Sequence, residues 1–228
     1  MRNTNRARAL ALAVLALIAF GVPRAVAQEA TLDALDIAWN RELNAALHYS
    51  AFARAALRDG YPKIATLFCA VAEAESIHAT NHRIEIERLD GGTRRAIESV
   101  VVHSCAQNLA RAIELEVEEW TTLYPRLAKI ARGEFMTDAL ASFNWARSAE
   151  KTHADIFAAA LADLNERAPG SRFLVSLVPV ALPEPPPSRC PVALICAGCG
   201  SAWPEVPGPR CPNCRTSSTK LLEPDCRW

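Results

Sequence analysis

The 228-residue chain carries no net charge, has no apolar run of comfortable bilayer-spanning length, and holds almost no glycine or proline through its long central stretch. Each absence excludes something. With 25 basic and 25 acidic residues, composition gives no reason to expect a nucleic-acid or anionic-membrane partner. The apolar run Ala9–Val22 falls short of the roughly 20 residues a transmembrane helix needs. Arg2, Arg6 and Arg8 before it, and Ala25-Val26-Ala27 after it, make residues 1–27 read as an export signal cut before Gln28. No cysteine stands at the cut to carry lipid, and Arg6-Ala7-Arg8 is not a twin-arginine pair. The expectation is export as an unfolded chain to the periplasm or beyond, with no membrane attachment after cleavage.

The scarcity of helix breakers between Ala30 and Arg167 leaves four long amphipathic segments, at about 31–58, 61–88, 105–132 and 136–166. "LRDGYP" and "LDGG" separate the first three, Asp90–His103 is a longer connection, and Pro125 should kink the third helix or disturb a turn. Long helices with short joints predict an all-α four-helix bundle over residues 28–168. A stiff proline-rich linker follows at 169–189, then a cysteine-rich module at 190–228 too small for an apolar core of its own.

What is present on the helices is carboxylate where grease belongs. The inward stripe of the fourth helix runs Phe143, Ala146, Glu150, His153, Phe157; that of the second runs Ile64, Phe68, Val71, Glu75, His78. The first has Leu35, Ala38, Glu42, Ala45, Tyr49, and the third Leu109, Ile113, Glu116, Trp120, Leu123, with Glu119 one turn beyond Glu116. A buried carboxylate is costly unless its charge is compensated. A glutamate from each of two helices plus Glu-x-x-His from each of the other two is the ligand set of di-iron or di-manganese carboxylate bundles. Carboxylates bridge and neutralise two cations, while imidazoles cap the ends and leave positions open for dioxygen or peroxide. Any metal would be loaded outside the cytoplasm.

The stretches "NLARAIELEVEEWTTLYP", "GYPKIATLF", "AEAESIHA" and "AEKTHA" resemble the rubrerythrin family over nearly the whole mature chain. That resemblance implies a ferritin-like di-iron bundle followed by a rubredoxin-like domain, with hydrogen peroxide reduced at the di-iron site by electrons arriving through the rubredoxin iron. It makes Glu75 and Glu150 the bridging carboxylates, Glu42, Glu119 and His78 the ligands of one iron, and Glu116 and His153 those of the other. An iron shift between a histidine and a glutamate would involve His78 and Glu119. Tyr49 and Tyr124 match tyrosines beside the family's site. The resemblance also implies a homodimer in which one subunit's rubredoxin centre serves the other's di-iron site. The thirteen residues Pro179–Pro191 at about 3.1 Å each, roughly 40 Å in all, would reach that far.

Cys196-x-x-Cys199 and Cys211-x-x-Cys214 form a paired four-thiolate signature for one tetrahedral ion, iron in a rubredoxin or zinc in a ribbon. The resemblance favours iron, yet the second knuckle continues into Arg215, where the family commonly has glycine. Of the other cysteines, Cys190 and Cys226 bracket the module and suit a disulfide staple, and Cys69 could pair with Cys105 if their helices meet. His48, His82 and His103 are read as surface or packing residues, and Glu114 and Glu118 as a solvated face. Three functions remain open on the residues: a peroxide reductase fed by an unidentified periplasmic electron donor, a ferroxidase or iron-handling protein using the same site, and a metal-binding bundle with a structural zinc tail.

Overall fold

The computed structural model describes residues 28–167, 194–203, 208–217 and 221–222. The expected export signal, the proline-rich linker and the Cys190–Cys226 staple lie outside the described residues. Helix α1 spans Glu29–Arg58 and α2 spans Pro62–Arg88. Gly60, at φ +83, makes the reversal between them, with Tyr61 N–H bonding Ala56 O at 2.8 Å. Pro62 then opens α2, where its missing N–H costs nothing.

The stretch from Gly91 to His103 has no helix or strand of its own, but it is not slack. Asp36, Asn40 and Asn44 form one row along α1, each a helical turn from the next. Asp36 accepts from Arg94 N, Asn40 pairs with Arg94 O and Ala96 N, and Asn44 pairs with Ala96 O and Glu98 N, all within 2.7–3.0 Å. The match is geometric. A helical turn rises about 5.4 Å, close to the ~6.6 Å repeat of two extended residues.

Ser104 caps the next helix with Gln107 in a reciprocal capping box. This third bundle helix comes in three pieces: α3 (Cys105–Glu118), a π-turn (Glu119–Leu123) and α4 (Tyr124–Gly133). Pro125 has no N–H and would clash with the carbonyl four residues back. The wider turn resolves this, with Tyr124 N–H bonding Glu119 O at i+5 spacing. The extra residue shifts the phase of the helix. Leu115, Glu116, Glu119, Leu123 and Tyr124 are buried, while Ile113 and Trp120, expected on the inward stripe, are only half-buried. Helix α5 (Thr137–Arg167) completes the bundle.

Two aromatic cores flank the polar middle. One holds Tyr49, Phe52, Phe68 and Phe157; the other holds Leu35, Ile86, Tyr124, Leu127 and Phe143. Beyond the bundle, β1 (Leu194–Cys196) is the centre of a three-stranded antiparallel sheet between β2 (Ala202–Trp203) and β3 (Leu221–Leu222), with Ile195 opposite both Ala202 and Leu222. The chain is thus a ferritin-like four-helix bundle with a small rubredoxin-like module. Among the described residues, no helix is long and apolar enough to cross a membrane.

Candidate metal centres

Seven side chains from four directions meet between the two aromatic cores. Glu42 comes from α1, Glu75 and His78 from α2, Glu116 and Glu119 from α3 and the π-turn, and Glu150 and His153 from α5; all are buried. The two shared carboxylates divide their oxygens. Glu75 sets Oε2 at 2.8 Å from His78 Nδ1 and Oε1 at 3.1 Å from His153 Nδ1. Glu150 repeats the pattern, with Oε1 at 3.1 Å from His78 Nδ1 and Oε2 at 2.9 Å from His153 Nδ1. Glu42 stands 3.8 Å from His78, and Glu116 3.6 Å from His153. The result is two overlapping sets, Glu42–Glu75–His78–Glu150 and Glu75–Glu116–Glu150–His153, each with its ligand atoms within 4.8 Å of one another.

These approaches are close but mostly not hydrogen bonds. Glu42 Oε2, Glu75 Oε1, Glu116 Oε2, Glu119 Oε2, both Glu150 oxygens and both His153 nitrogens have no hydrogen-bond partner although buried. So many buried orphans in one space would be costly in a protein that kept them so. Acceptors that converge without pairing suit a shared cation. The electrostatics agree. Burial, then the Glu150 charge, pushes Glu42 well above the usual carboxylate range, and burial with Glu75 does the same to Glu116. Burial raises Glu119 to about 8 against the pull of Arg41. Burial opposes ionisation of Glu75 too, but His153 and His78 outweigh it and hold its carboxyl below the usual range. Without cations the cluster retains protons. Five carboxylate charges would be balanced by Arg41 and two divalent cations, and an oxygen-rich set with one imidazole at each end fits iron or manganese.

Glu119 lies outside both sets, its Oε1 bonded to Arg41 Nε while Arg41 also reaches Glu118 at 2.9 Å. The two tyrosines hold the terminal carboxylates: Tyr49 O–H donates to Glu116 Oε1 at 2.5 Å, and Tyr124 O–H donates to Glu42 Oε1. Three participants escaped the sequence reading. Arg41 carries no motif, Ser142 looks like any serine, and His82, grouped there with surface or packing residues, is fully buried against Tyr124. Its signal was available, since it stands one helical turn past His78 on the same stripe. His48 packs on Phe52, His103 is exposed, and Glu114 sits in solvent with Arg111.

The four cysteines form the second centre. Cys196 and Cys214 sulfurs are 3.5 Å apart, Cys199 and Cys211 sulfurs 3.6 Å, and all four lie within 4.8 Å. A tetrahedron with ~2.3 Å metal–sulfur bonds has edges of about 3.8 Å, so the pocket suits one such ion. The two knuckles are built alike. Gly200 N–H returns to Cys196 O at 2.8 Å and Arg215 N–H to Cys211 O at 3.0 Å, and both residues are left-handed, at φ +73 and +64. Arg215 takes with strain the conformation that glycine takes freely.

Gly200 is glycine for a further reason. A Cβ there would lie 2.3 Å from His78 Nε2 and 2.8 Å from Ala74 O. The module is seated on its own chain's α2 and α5. Ile195 packs on Ala70, Ala74 and Ile77, Asn81 donates to Gly198 O at 3.1 Å, and Ser148 donates to Asn213 at 3.3 Å. At the centre of this seam His78 Nε2–H donates to Cys199 O at 2.9 Å, so a neutral His78 would turn its Nδ1 lone pair, on the side of Glu75 and Glu150, to a cation. Without one, burial opposes the second proton, but the Glu150 and Glu75 charges outweigh it and hold His78 well above its ordinary range. One imidazole therefore touches both centres. The exchange between subunits expected above is not needed to make this contact, since 26 residues separate Arg167 from Leu194 in the same chain. Cys69 is disulfide-bonded while Cys105 is a free, buried thiol, so these two do not pair.

Comparison with known proteins places this geometry. The sequence model of one family, described as Rubrerythrin, matches residues 33–161. Nigerythrin from Nitratidesulfovibrio vulgaris is 34% identical over 136 residues, 59% of this chain and 67% of its own. Rubrerythrin from Porphyromonas gingivalis is 33% identical over 133 residues, 57% of this chain and 65% of its own. A putative rubrerythrin from Methanocaldococcus jannaschii is 29% identical over 206 residues, 86% of this chain and 93% of its own. Solved structures of nigerythrin in mixed-valence and all-ferrous states match with a TM-score of 0.69 at 27% identity, covering 84% of this chain and 85% of theirs.

Proposed function

Because the chain belongs to the rubrerythrin family, we propose that it reduces hydrogen peroxide at a paired-iron site in the bundle, with electrons entering through iron on Cys196, Cys199, Cys211 and Cys214. The observation that carries this reading is His78, whose Nδ1 faces the shared carboxylates while Nε2 bonds the Cys199 carbonyl. A structural zinc knuckle has no use for such a contact, and iron storage has none either; an electron path has.

In this reading Glu42 and His78 would hold one iron and Glu116 and His153 the other, Glu75 and Glu150 would serve both, and Glu119 would stand in reserve on Arg41. The iron pair, when bound, supplies the two electrons that convert peroxide and two protons into two waters. The chain does the rest. Phe52, Phe68 and Phe157 on one side and Phe143 and Leu127 on the other keep bulk water out. Tyr49 and Tyr124 each hold a phenolic proton against a terminal carboxylate, and burial with the Glu116 charge keeps Tyr49 neutral far above its ordinary range. Residues 1–27 support export, so the donor would be a carrier protein outside the cytoplasm, with peroxide as substrate. A homodimer remains part of the proposal, but electron delivery within one chain does not require it.

Metal analysis with visible spectroscopy and peroxide assay tests this. The expected result is three irons per chain, a thiolate-to-iron band and donor-dependent peroxide loss. Zinc on the cysteines with no peroxide turnover would overturn it. Turnover of ferrous iron in preference to peroxide would favour the ferroxidase alternative.

A further inference from the structure

Behind Tyr124 the hydrogen bonding continues one layer deeper than the family assignment reaches. His82 Nε2 lies 3.0 Å from the Tyr124 hydroxyl, and Ser142 Oγ lies 2.9 Å from His82 Nδ1. All three side chains are buried, with His82 and Tyr124 wholly so, and the His82 ring is walled by Phe143. The direction of every bond in this chain follows from its inner end. Glu42 holding a cation would be a carboxylate, which only accepts, so Tyr124 O–H must donate to it. The Tyr124 oxygen then accepts from His82 Nε2–H, and His82 Nδ1 accepts from the Ser142 hydroxyl.

We propose that His82, backed by Ser142, is a positioning residue that fixes the Tyr124 hydroxyl as a permanent donor to Glu42 Oε1, so that Glu42 offers only Oε2 to a cation. Glu42 Oε2 is the oxygen left without a partner, and it is the one turned toward His78. Glu116 shows the same division, with Tyr49 on Oε1 and Oε2 unpartnered. The difference lies behind the tyrosines: among the described residues, no histidine backs Tyr49 as His82 backs Tyr124. The backed side is also the His78 side, which meets the four-cysteine module. Burial holds the His82 imidazole down to about 3, with His78 acting in the same direction, which fits a ring that stays neutral in its cage.

This rests on the reading that Glu42 is a metal ligand, and two independent measurements keep the two claims apart. The first needs no activity. In the full-length zinc-loaded protein with 15N-labelled histidine, His82 should be the neutral Nε2–H tautomer at pH 7. Ser142→Ala should move the Nδ1 shift, and Tyr124→Phe the Nε2 shift. An Nδ1–H tautomer or an imidazolium overturns the proposal. The second is cobalt(II) titration, read at the carboxylate-site d–d bands, which are separable from the thiolate-site charge-transfer bands. His82→Leu should weaken one of the two bundle positions about tenfold, within the 10–100-fold range for a lost partner of a metal ligand. His82→Gln, whose amide can still donate to the tyrosine, should restore affinity to within about twofold. Equal affinity for His82→Leu and wild type overturns the proposal. If His82→Leu does not fold, Ser142→Ala with the tautomer measurement decides. Should Glu42→Ala leave the cobalt bands unchanged, the ligand reading is what fails, and the tautomer result still judges the positioning.

Discussion

A single methyl group at Gly200 should separate the two centres. Gly200→Ala would place Cβ 2.3 Å from His78 Nε2, 2.5 Å from His78 Cδ2 and 2.8 Å from Ala74 O. The contacts are with a held imidazole and a helix backbone, so neither can swing away. The left-handed φ of +73 adds about 1–2 kcal/mol of strain for any L side chain. Against this stands the seam itself. Burying Ile195 contributes about 1.5–3 kcal/mol, and the three hydrogen bonds from His78, Asn81 and Ser148 about 1 kcal/mol each. A contact worth on the order of 5 kcal/mol cannot absorb overlaps of about an ångström at its centre. The module should therefore lift off α2 while its own knuckles survive. Donor-driven peroxide turnover should fall at least a hundredfold, the thiolate-to-iron band should persist, and chemically reduced bundle iron should still react with peroxide in a single turnover. Two assays on one preparation, steady state and stopped flow, read these out. Wild-type steady-state turnover in Gly200→Ala with the band intact would refute the reasoning, because it would mean that the His78–Cys199 contact carries no electrons.

Three further outcomes follow from the same geometry. Glu150→Ala removes a carboxylate shared by both sets and should abolish bundle iron and peroxide turnover while the four-cysteine site still fills; Glu114→Ala, in solvent beside Arg111, should leave both unchanged, and iron quantification on the pair distinguishes them. Metal-free protein should be more stable at pH 5.5 than at pH 8: Glu119 at about 8 in the fold against an ordinary 4.5 means the folded chain binds the extra proton, so stability is full below 4.5 and is lost as pH rises through 8, on the order of 5 kcal/mol from this group alone. His82, held to about 3, and Glu75, held low, act in the opposite sense and turn the curve over in stronger acid; urea melts giving higher stability at pH 8 would contradict this, and loaded metal should remove the slope. Alkylation of unreduced native protein should leave Cys69 unlabelled and recover it in a cross-linked peptide, while Cys105, buried and pushed up to about 12 by burial, should label only after unfolding; a free Cys69 would refute it.

The helices and their carboxylates were legible because both depend on local rules. A stripe at helical spacing is a property of the chain, and a glutamate on it announces compensation wherever the partner comes from. Glu-x-x-His on α2 and α5, with Glu42 and Glu116, needed only that the four stripes face one another, as the apolar residues on each stripe require of a bundle. The paired Cys-x-x-Cys knuckles likewise carry their geometry within a few residues. The tertiary structure decided what depends on contact between distant segments. It divided the oxygens of Glu75 and Glu150 between two histidines and turned Glu119 toward Arg41. It brought His82 and Ser142 together behind Tyr124, and it used the π-turn before Pro125 to bring Glu119 and Tyr124 inward together. It also seated the four-cysteine module on its own α2, where the absent side chain of Gly200 admits His78. Glycine in sequence announces only conformational freedom, and a histidine does not say which of its nitrogens will be held, because both answers belong to residues more than a hundred positions away.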